Sequence, residues 1–571
     1  MNYKKIVCWM MTTAVVMLGI VSGCGQSSKQ SGSSEKYIDL EEAAVDGEVL
    51  ISEEGDYILQ GSLSNGQIVV DAKGANVSLI FAGAQVTNEA DAALYVKEAE
   101  QVVVTLEENS ENALSCTEEY DAEDEDTVNA VIYSKNDLVL EGSGLLSITS
   151  EYGDGIKAKE NLTITGGDFD IDVAGDGIDS SGVLQIDDGI FDILCAGGCE
   201  NGETHLEQNF TGGGKMQNMG EKPEGAGRKE QGELPEGVEL PEQGELPEGV
   251  ERHDRGGKSG MRELAEQGEL PEGMEPPEQG ELPEEMEPPE QGEMSEDGER
   301  PEINETSADV EQNGTDSDET ISSKGIKSDT DIKISGGNIK IDSADDAIHS
   351  NGTVTIEAGV IELASGDDGI HAESELLVNG GSIKVTKCYE GLEGTDVTIN
   401  DGDIEVTSDD DGLNAAGDTN ATADSTAEYK ITINGGYLYV CAGGDGIDSN
   451  GDIEINGGTV YVDGPSNNGN SAIDFGERSK AIVNGGTLVA VGSSGMAEEF
   501  DAESTQGFVL VRLDQTAEEG SLVTLTDESG KELISYTAAK TFNCVEISCA
   551  ELIDGQTYIL TVGETSQEIE I

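Results

Sequence analysis

Polar and apolar residues alternate one by one through most of this chain, as in Leu162-Thr163-Ile164 and Phe169-Asp170-Ile171. A period of two marks a strand whose faces see different surroundings. The strands are short, and they recur. Asp154-Gly155-Ile156 returns as Asp176-Gly177-Ile178, and Gly166-Gly167 returns as Asp188-Gly189, both 22 residues on. After a gap the phrase resumes at Lys324-Gly325-Ile326. It continues through Asp346-Ala347-Ile348, Asp368-Gly369-Ile370, Glu390-Gly391-Leu392, Asp411-Gly412-Leu413 and Asp445-Gly446-Ile447 to a degenerate Ser471-Ala472-Ile473. The steps are 22, 22, 22, 21 and 34, the longest holding a loop at 419–427.

Three slots stay aliphatic from unit to unit. One is Ile156, Ile178, Ile326, Ile348, Ile370, Leu392, Leu413 and Ile447. The second runs from Ile164 through Ile356 to Ile455, and the third from Ile171 through Leu363 to Val462. A fixed period in this range means stacked repeats. Three short strands cannot bury a face alone, but in register they bury a continuous column. The expected fold is all-β, a parallel β-helix of about 22 residues per coil, rising ~4.8 Å each turn. Gly-Gly and Asp-Gly are expected at corners, where the backbone needs positive φ.

Residues 40–200 form the N-terminal part of this helix, with irregular coils over 40–149 that cap one end. Residues 321–504 form the C-terminal part. From 505 to 571 the rhythm changes to "GFVLVRLDQ", "SLVTLTDESGKELISYT" and "QTYILTVG", which predict a small antiparallel cap with a Ser-Gly hairpin turn. Aromatic residues are scarce at 4 %, so the core is expected to be aliphatic.

The start of the chain reads as an export signal: Lys4 and Lys5, an apolar run over 6–20, then Val21-Ser22-Gly23-Cys24. That ending looks like a lipobox. It predicts a signal peptide over 1–24, lipidation at Cys24, a flexible tether over 25–39, and display on the outer face of a bacterial cell membrane. Contact with the membrane would be through the lipid alone. Seven cysteines remain after the signal, and no pairing follows from their spacing.

Residues 201–320 break the repeat. Eleven of the twelve prolines fall between Pro223 and Pro301, in hexads such as ELPEGV (233–238) and ELPEEM (281–286). This stretch holds 35 acidic and 9 basic residues and few large apolar ones, so it predicts a disordered acidic insertion. The whole chain carries a net charge of −89, from 119 acidic and 30 basic residues. Such a charge repels phosphate backbones and argues against nucleic acid as a partner, while it attracts divalent cations. A monomer is expected.

Stacking turns scattered corner acids into neighbours. Asp154 would lie over Asp176, and Asp346 over Asp368, Glu390, Asp411 and Asp445, with Asp179, Glu393 and Asp448 in a parallel line. Carboxylates one strand spacing apart repel unless protonated or bridged by a cation. Calcium takes six to eight oxygens and suits Asp side chains with turn carbonyls. The plainer reading is that each Asp only serves its own turn. Lys324 and Gly198 interrupt the column, so discrete sites are expected. His349 and His371 would stack, as a solvated pair or as a transition-metal pair. Tyr439 and Tyr461 share an outward slot, with Tyr437 beside Tyr439, and such rings can stack on sugar faces or simply on each other.

The unit "GGDGIDSNGDIEINGGTVYVDG" (443–464), its repeats and the lipobox resemble a family of bacterial secreted carbohydrate-binding β-helix proteins from clostridial polysaccharide degraders. The resemblance covers roughly 40–200 and 321–571. It implies a right-handed parallel β-helix similar to family 9 polysaccharide lyases. It also implies calcium at Asp154, Asp176, Asp346, Asp368, Asp411 and Asp445, and affinity for cellulose or pectin-type plant or cell-wall polysaccharide without catalysis. Glu390 and Lys324 depart from the pattern. Two other functions stay open: a calcium-dependent lyase with Lys157 or Lys327 as base, and a surface adhesin or structural wall protein.

Overall fold

The computed structural model describes residues 35–118, 120, 128–202, 322–417, 429–476 and 478–571. Cys24, the tether up to residue 34, the loop at 419–427 and all but the first two residues of the acidic insertion lie outside them; the end of the expected tether is corrected, because Lys36–Asp39 is a strand paired in parallel with Gly55–Ser64. The described residues are almost entirely strand, and 38 strands belong to one long sheet. The one α-helix among them is a single turn, Leu40–Ala43, whose Leu40 is fully buried.

Each repeat contributes three strands, such as Ile348–Ser350, Val354–Ile356 and Val360–Ser365. Each strand pairs in parallel with the equivalent strand of the next repeat rather than with its neighbour in sequence. Ile326 faces Ile348, Ile348 faces Ile370, and Ile370 faces Leu392. Across the insertion the register is kept: Ile178 pairs directly with Ile326, Ile186 with Ile334 and Ile193 with Ile341. The N-terminal strands obey the same parallel rule with longer elements. Asn76–Asn88 bends at Gly83 and pairs with both Gln101–Leu106 and Glu111–Cys116.

One hydrophobic cluster runs from Leu40 to Phe500 and takes its members from all three strands of every repeat. The three expected columns are in it, and two further ones join them. One passes through Leu162, Leu184, Ile332, Val354 and Leu376. The other passes through Leu146, Phe169, Phe191, Ile339 and Ile361. The core is therefore not purely aliphatic. Phe169 and Phe191 are buried with ring centroids 5.0 Å apart and planes 10° from parallel, the offset arrangement that in-register stacking forces on equal residues.

Side chains lock the register from outside. The carboxamide of Asn400 donates to Asn379, Asn434 to Asn400, Asn456 to Asn434 and Asn484 to Asn456, at 2.8–3.0 Å. Each of these asparagines precedes a glycine turn. The second glycine of that turn does have positive φ, as at Gly381 (96°) and Gly458 (85°). The expectation of positive φ at the Asp-Gly turns is corrected. At the corner pairs of the repeat, Gly155, Gly177, Gly369, Gly412 and Gly446 are not among the positive-φ residues, whereas Gly189 and Gly402, whose Asp-Gly pairs stand in the Gly-Gly slot, are. The constraint there is space: a β-carbon on Gly369 would lie 2.6 Å from the Gly391 carbonyl oxygen. Ala347 and Ala472 still occupy this position, so the backbone yields by a few tenths of an ångström where it must.

Past residue 505 the sheet turns antiparallel. Phe542–Ser548 pairs with both Thr487–Gly492 and Phe508–Ala517. A second, four-stranded antiparallel sheet follows, in the order Glu532–Thr537, Leu522–Asp527, Thr557–Val562, Thr565–Glu570. Ser529-Gly530 lies in the turn between the first pair, with Gly530 at φ 84°. This region differs from a lid on the stack's end. Its own core includes the outward-facing Val489 and Val491, with Tyr461 packed against it, so it covers the outer face of the last parallel strands. Phe500 instead closes the main core.

Ile370 is fully buried between Ile348 and Leu392. Ile370→Ala should cost about 2–5 kcal/mol, because the stack cannot collapse around the lost atoms without breaking register. Lys340→Ala, on the exposed face, should stay within about 0.5 kcal/mol. Urea unfolding of the two variants checks both.

Candidate functional site

The Asp column is built from the backbone outward. At most corners one carboxylate oxygen accepts the N–H of the next corner residue. Asp154 Oδ1 accepts from Asp176 at 2.9 Å, Asp176 Oδ1 from Lys324 at 2.9 Å, Asp346 Oδ1 from Asp368 at 3.0 Å and Asp411 Oδ1 from Asp445 at 2.6 Å. Asp445 accepts from Ser471 in the same way. Asp therefore serves the turn of the next repeat, not its own. Glu390 is too long for this geometry, and its carboxylate is held at 2.7 Å by Asn414 Nδ2. Gly198 is not in the column at all. The chain leaves it after Cys195 for a 3-10 turn at Cys199–Asn201, and Lys324 takes the vacant corner.

The second oxygen of each corner acid faces the outward slot beside the Ile column. That slot reads, in register, Lys157, Asp179, Lys327, His349, His371, Glu393, Asn414, Asp448, Asp474. Its character changes along the stack, and the predicted calcium ligands divide into three groups accordingly.

In the first group, Asp154, Asp176 and Asp179 converge, and each is already paired with a lysine. Lys157 Nζ lies 2.8 Å from Asp154 and 2.7 Å from Asp179, and Lys327 Nζ lies 3.3 Å from Asp176. Burial acts to lower the Lys157 pKa, but the two carboxylates outweigh it and hold the amine protonated. Burial raises Asp154 to about 6 against the pull of Lys157.

In the second group, Asp346 is paired with Lys324 Nζ at 2.6 Å and with His349 Nδ1 at 2.8 Å. Burial pushes this carboxyl up, yet the His349 and Lys324 contacts hold it well below the usual range. Asp368 lies 3.3 Å from His371 Nδ1.

The third group is Asp411, Asp445 and Asp448, partly buried, with an oxygen from each within 4.8 Å of the others. Among the described residues no lysine, arginine or histidine forms an ion pair with them. Burial and then mutual repulsion raise Asp411 and Asp445 well above the carboxylate range, and burial with the Asp474 charge raises Asp448 to about 7. An all-oxygen set with no basic partner can hold a hard divalent cation or share protons among its carboxyls.

The tyrosines form a second feature. Tyr439 and Tyr461 pair in register on the outer face, and the Tyr437 and Tyr461 rings meet edge-on at 6.0 Å. Tyr536 stands on an antiparallel strand outside the 22-residue period, where counting repeats does not place it. It stacks on Tyr461 at 4.9 Å, 27° from parallel. Together with Glu405, Ser535 and Thr537 these rings line an open cleft of about 400 Å³. Buried Asp463 fixes the cleft, accepting from Tyr439 Oη at 2.9 Å, Tyr536 Oη at 2.7 Å and the Ala539 N–H at 3.1 Å. All seven described cysteines are free thiols.

A family model described as "Carbohydrate-binding domain-containing protein" matches residues 45–208, 294–369 and 365–507, together more than half of the chain. The chain belongs to that family. The match passes over 209–293, within the Pro-rich insertion. A carbohydrate-binding domain-containing protein of Acetivibrio thermocellus is 35 % identical over 127 residues, 22 % of this chain and 44 % of that relative. The chain thus spans less than half the length of the curated relative it matches. Among solved structures, a polysaccharide lyase-like protein from C. thermocellum, determined as a gadolinium derivative, overlaps 78 % of this chain and 98 % of that one. Its identity is 15 % and its TM-score 0.27, too low to inform on fold or function.

Lys157 and its acids are nearly buried, at 13 % exposure for the lysine side chain and 6 % and 4 % for Asp154 and Asp179. Lys157→Met should destabilise the protein by about 3–5 kcal/mol by leaving two buried carboxylates uncompensated. Asp154→Asn in the same background should recover part of the loss. Chemical denaturation in a chelator gives both values.

Proposed function

We propose that this family member binds neutral polysaccharide of the cellulose type at the Tyr437–Tyr461–Tyr536 cleft, without catalysis, on a calcium-stabilised right-handed parallel β-helix like that of family 9 polysaccharide lyases. The three-strand spacing of the parallel pairs and the single shared core support the helical winding. The tyrosine cleft carries the functional reading. Its aromatic faces suit the apolar faces of sugar rings, its hydroxyls are anchored by Asp463, and its volume falls in the range of small-molecule and saccharide pockets. Glu405 in the cleft and the net charge of −89 disfavour uronate polymers there. A pectin-type chain would need a cation between the two acidic surfaces. Calcium at Asp411, Asp445 and Asp448 would bridge three repelling carboxylates between repeats and act on stability rather than on sugar contact.

The lyase reading needs an unprotonated base beside an acidic sugar. Lys157 and Lys327 are ion-paired and their pKa values are raised, burial notwithstanding, by Asp154, Asp176 and Asp179. Neither is suited to take a proton at neutral pH. Display at the cell surface through a lipid on Cys24 completes the proposal and matches a ligand too large to enter the cell.

Retention of the full chain on insoluble cellulose and on pectate, with calcium or with chelator, tests this function. Retention on cellulose should fall at least tenfold in Tyr437→Ala/Tyr461→Ala and persist in chelator, while calcium added back to chelator-treated, dialysed protein raises the thermal midpoint of wild type but not of Asp448→Asn. Equal retention of wild type and the tyrosine variant would refute the cleft. A midpoint indifferent to calcium would refute the calcium site and leave the cleft standing.

A further inference from the structure

His349 and His371 are one repeat apart in the outward slot, between the lysine-neutralised acids and the bare carboxylates. Their ring centroids are 4.9 Å apart with planes at 75°, an edge-on pose rather than a parallel stack. In that pose both Nδ1 atoms turn to the corner acids. His349 Nδ1 is 2.8 Å from Asp346 Oδ2, and His371 Nδ1 is 3.3 Å from Asp368 Oδ2 and 3.5 Å from Glu393 Oε2. Nitrogen and oxygen donors of Asp346, His349 and His371 lie within 4.8 Å of one another, and so do those of Asp368, His371 and Glu393. The two groups share His371, so each offers three donors, and Asp346 and Glu393 stand two repeats apart.

A separate observation concerns the far side of the rings. His349 Nε2 is held at 3.0 Å by Asn351 Oδ1, and His371 Nε2 faces Glu373 Oε1 at 3.9 Å. With an oxygen acceptor holding a proton at Nε2, an ion that displaces the Nδ1 proton shared with the corner acid meets the Nδ1 lone pair. This outer bond is what orients a metal-binding imidazole and raises its basicity.

We propose that Asp346, His349 and His371, with Asp368 beside His371, form a site for a transition-metal dication of the zinc class. Imidazole nitrogen prefers such borderline ions over calcium, and a mixed nitrogen and carboxylate set with two histidines is a common zinc donor set. The site is separate from Asp411, Asp445 and Asp448, which offer only oxygen. The same line of register thereby sorts cations by chemistry: ammonium at Lys157 and Lys327, a borderline dication at the histidines, and a hard dication beyond Asn414. The ion would replace the imidazolium protons that otherwise balance these acids, and Lys324, 2.6 Å from Asp346 Oδ2, would yield that oxygen to the ion and stay on Asp345 at 2.8 Å.

Cobalt(II) is the probe, titrated into chelator-treated full-length protein with calcium in excess. One saturable equivalent should appear with visible d–d absorption, and zinc should displace it while calcium does not. His371→Ala and His371→Gln should each weaken cobalt binding at least tenfold, and Asn351→Leu should weaken it by about tenfold through the lost outer bond. Asp448→Asn should leave cobalt binding unchanged. Circular dichroism of each variant separates lost binding from lost fold, and the glutamine variant keeps the slot filled. Absence of absorption in wild type, displacement by calcium, or an unchanged titration in both His371 variants would overturn the site and leave a protonated histidine pair in its place.

Discussion

At successive corners of the repeat the second residue hands its N–H to a carbonyl one repeat away: Gly325 to Asp346, Ala347 to Asp368, Gly369 to Glu390, Gly391 to Asp411 and Gly412 to Asp445, at 2.9–3.0 Å. The approach is so close that a side chain is barely tolerated, and it fixes the distance between repeats at one strand spacing. With that distance set, period-two alternation does the rest. Inward residues fall into aliphatic columns, and outward residues of equal position become neighbours whatever their charge. The apolar columns benefit from this constraint. The acidic ones are destabilised by it.

The protein answers the resulting repulsion in three ways along a single line. Where the slot offers lysine, the acids are paired and need no ion. Where it offers histidine, proton and metal compete for the same lone pairs. Where it offers only Asp448 beside Asp411 and Asp445, no basic side chain among the described residues pairs with the acids, which leaves protons, or the dication proposed above, to relieve the repulsion. Stability and ion selectivity are thus two consequences of the same stacking. The tyrosine cleft belongs to the same logic, since Tyr439 and Tyr461 meet only because 22 residues separate them, and the C-terminal strands then bring Tyr536 against their outer face.

The stacking was readable from the sequence because it rests on period and identity. The Ile348–Ile370 and His349–His371 pairs, the Tyr439–Tyr461 pair and the grouping of Asp154 with Asp176 and Asp179 all follow from counting. The asparagine ladder was equally readable, since Asn379, Asn400, Asn434, Asn456 and Asn484 precede successive glycine turns at the same step. Three features were not. Lys157 and Lys327 lie in the slot that holds Asp179, but only side-chain geometry shows that their amines sit where an ion would. The role of Asp at the turns was legible as a hydrogen bond but not as one that reaches the next repeat. The partner of Tyr461 comes from antiparallel strands outside the period, where a count of residues carries no register. The loss of Gly198 from the column has the same cause, because a chain about to leave the repeat is free of it.

Cross-linking reads the register most directly. Lys340 pairs with Glu362, and Glu362 with Lys384, all three exposed on the outer face. Adjacent repeats place such α-carbons within the ~4.4–6.8 Å that a disulfide spans, and positions two repeats apart lie beyond it. Under mild oxidation the pairs Lys340→Cys/Glu362→Cys and Glu362→Cys/Lys384→Cys should cross-link, as read by mass spectrometry of peptides, while Lys340→Cys/Lys384→Cys should not. Cross-linking of the distant pair with neither near pair would contradict the 22-residue stack, and with it the grouping of acids, histidines and tyrosines that depends on it.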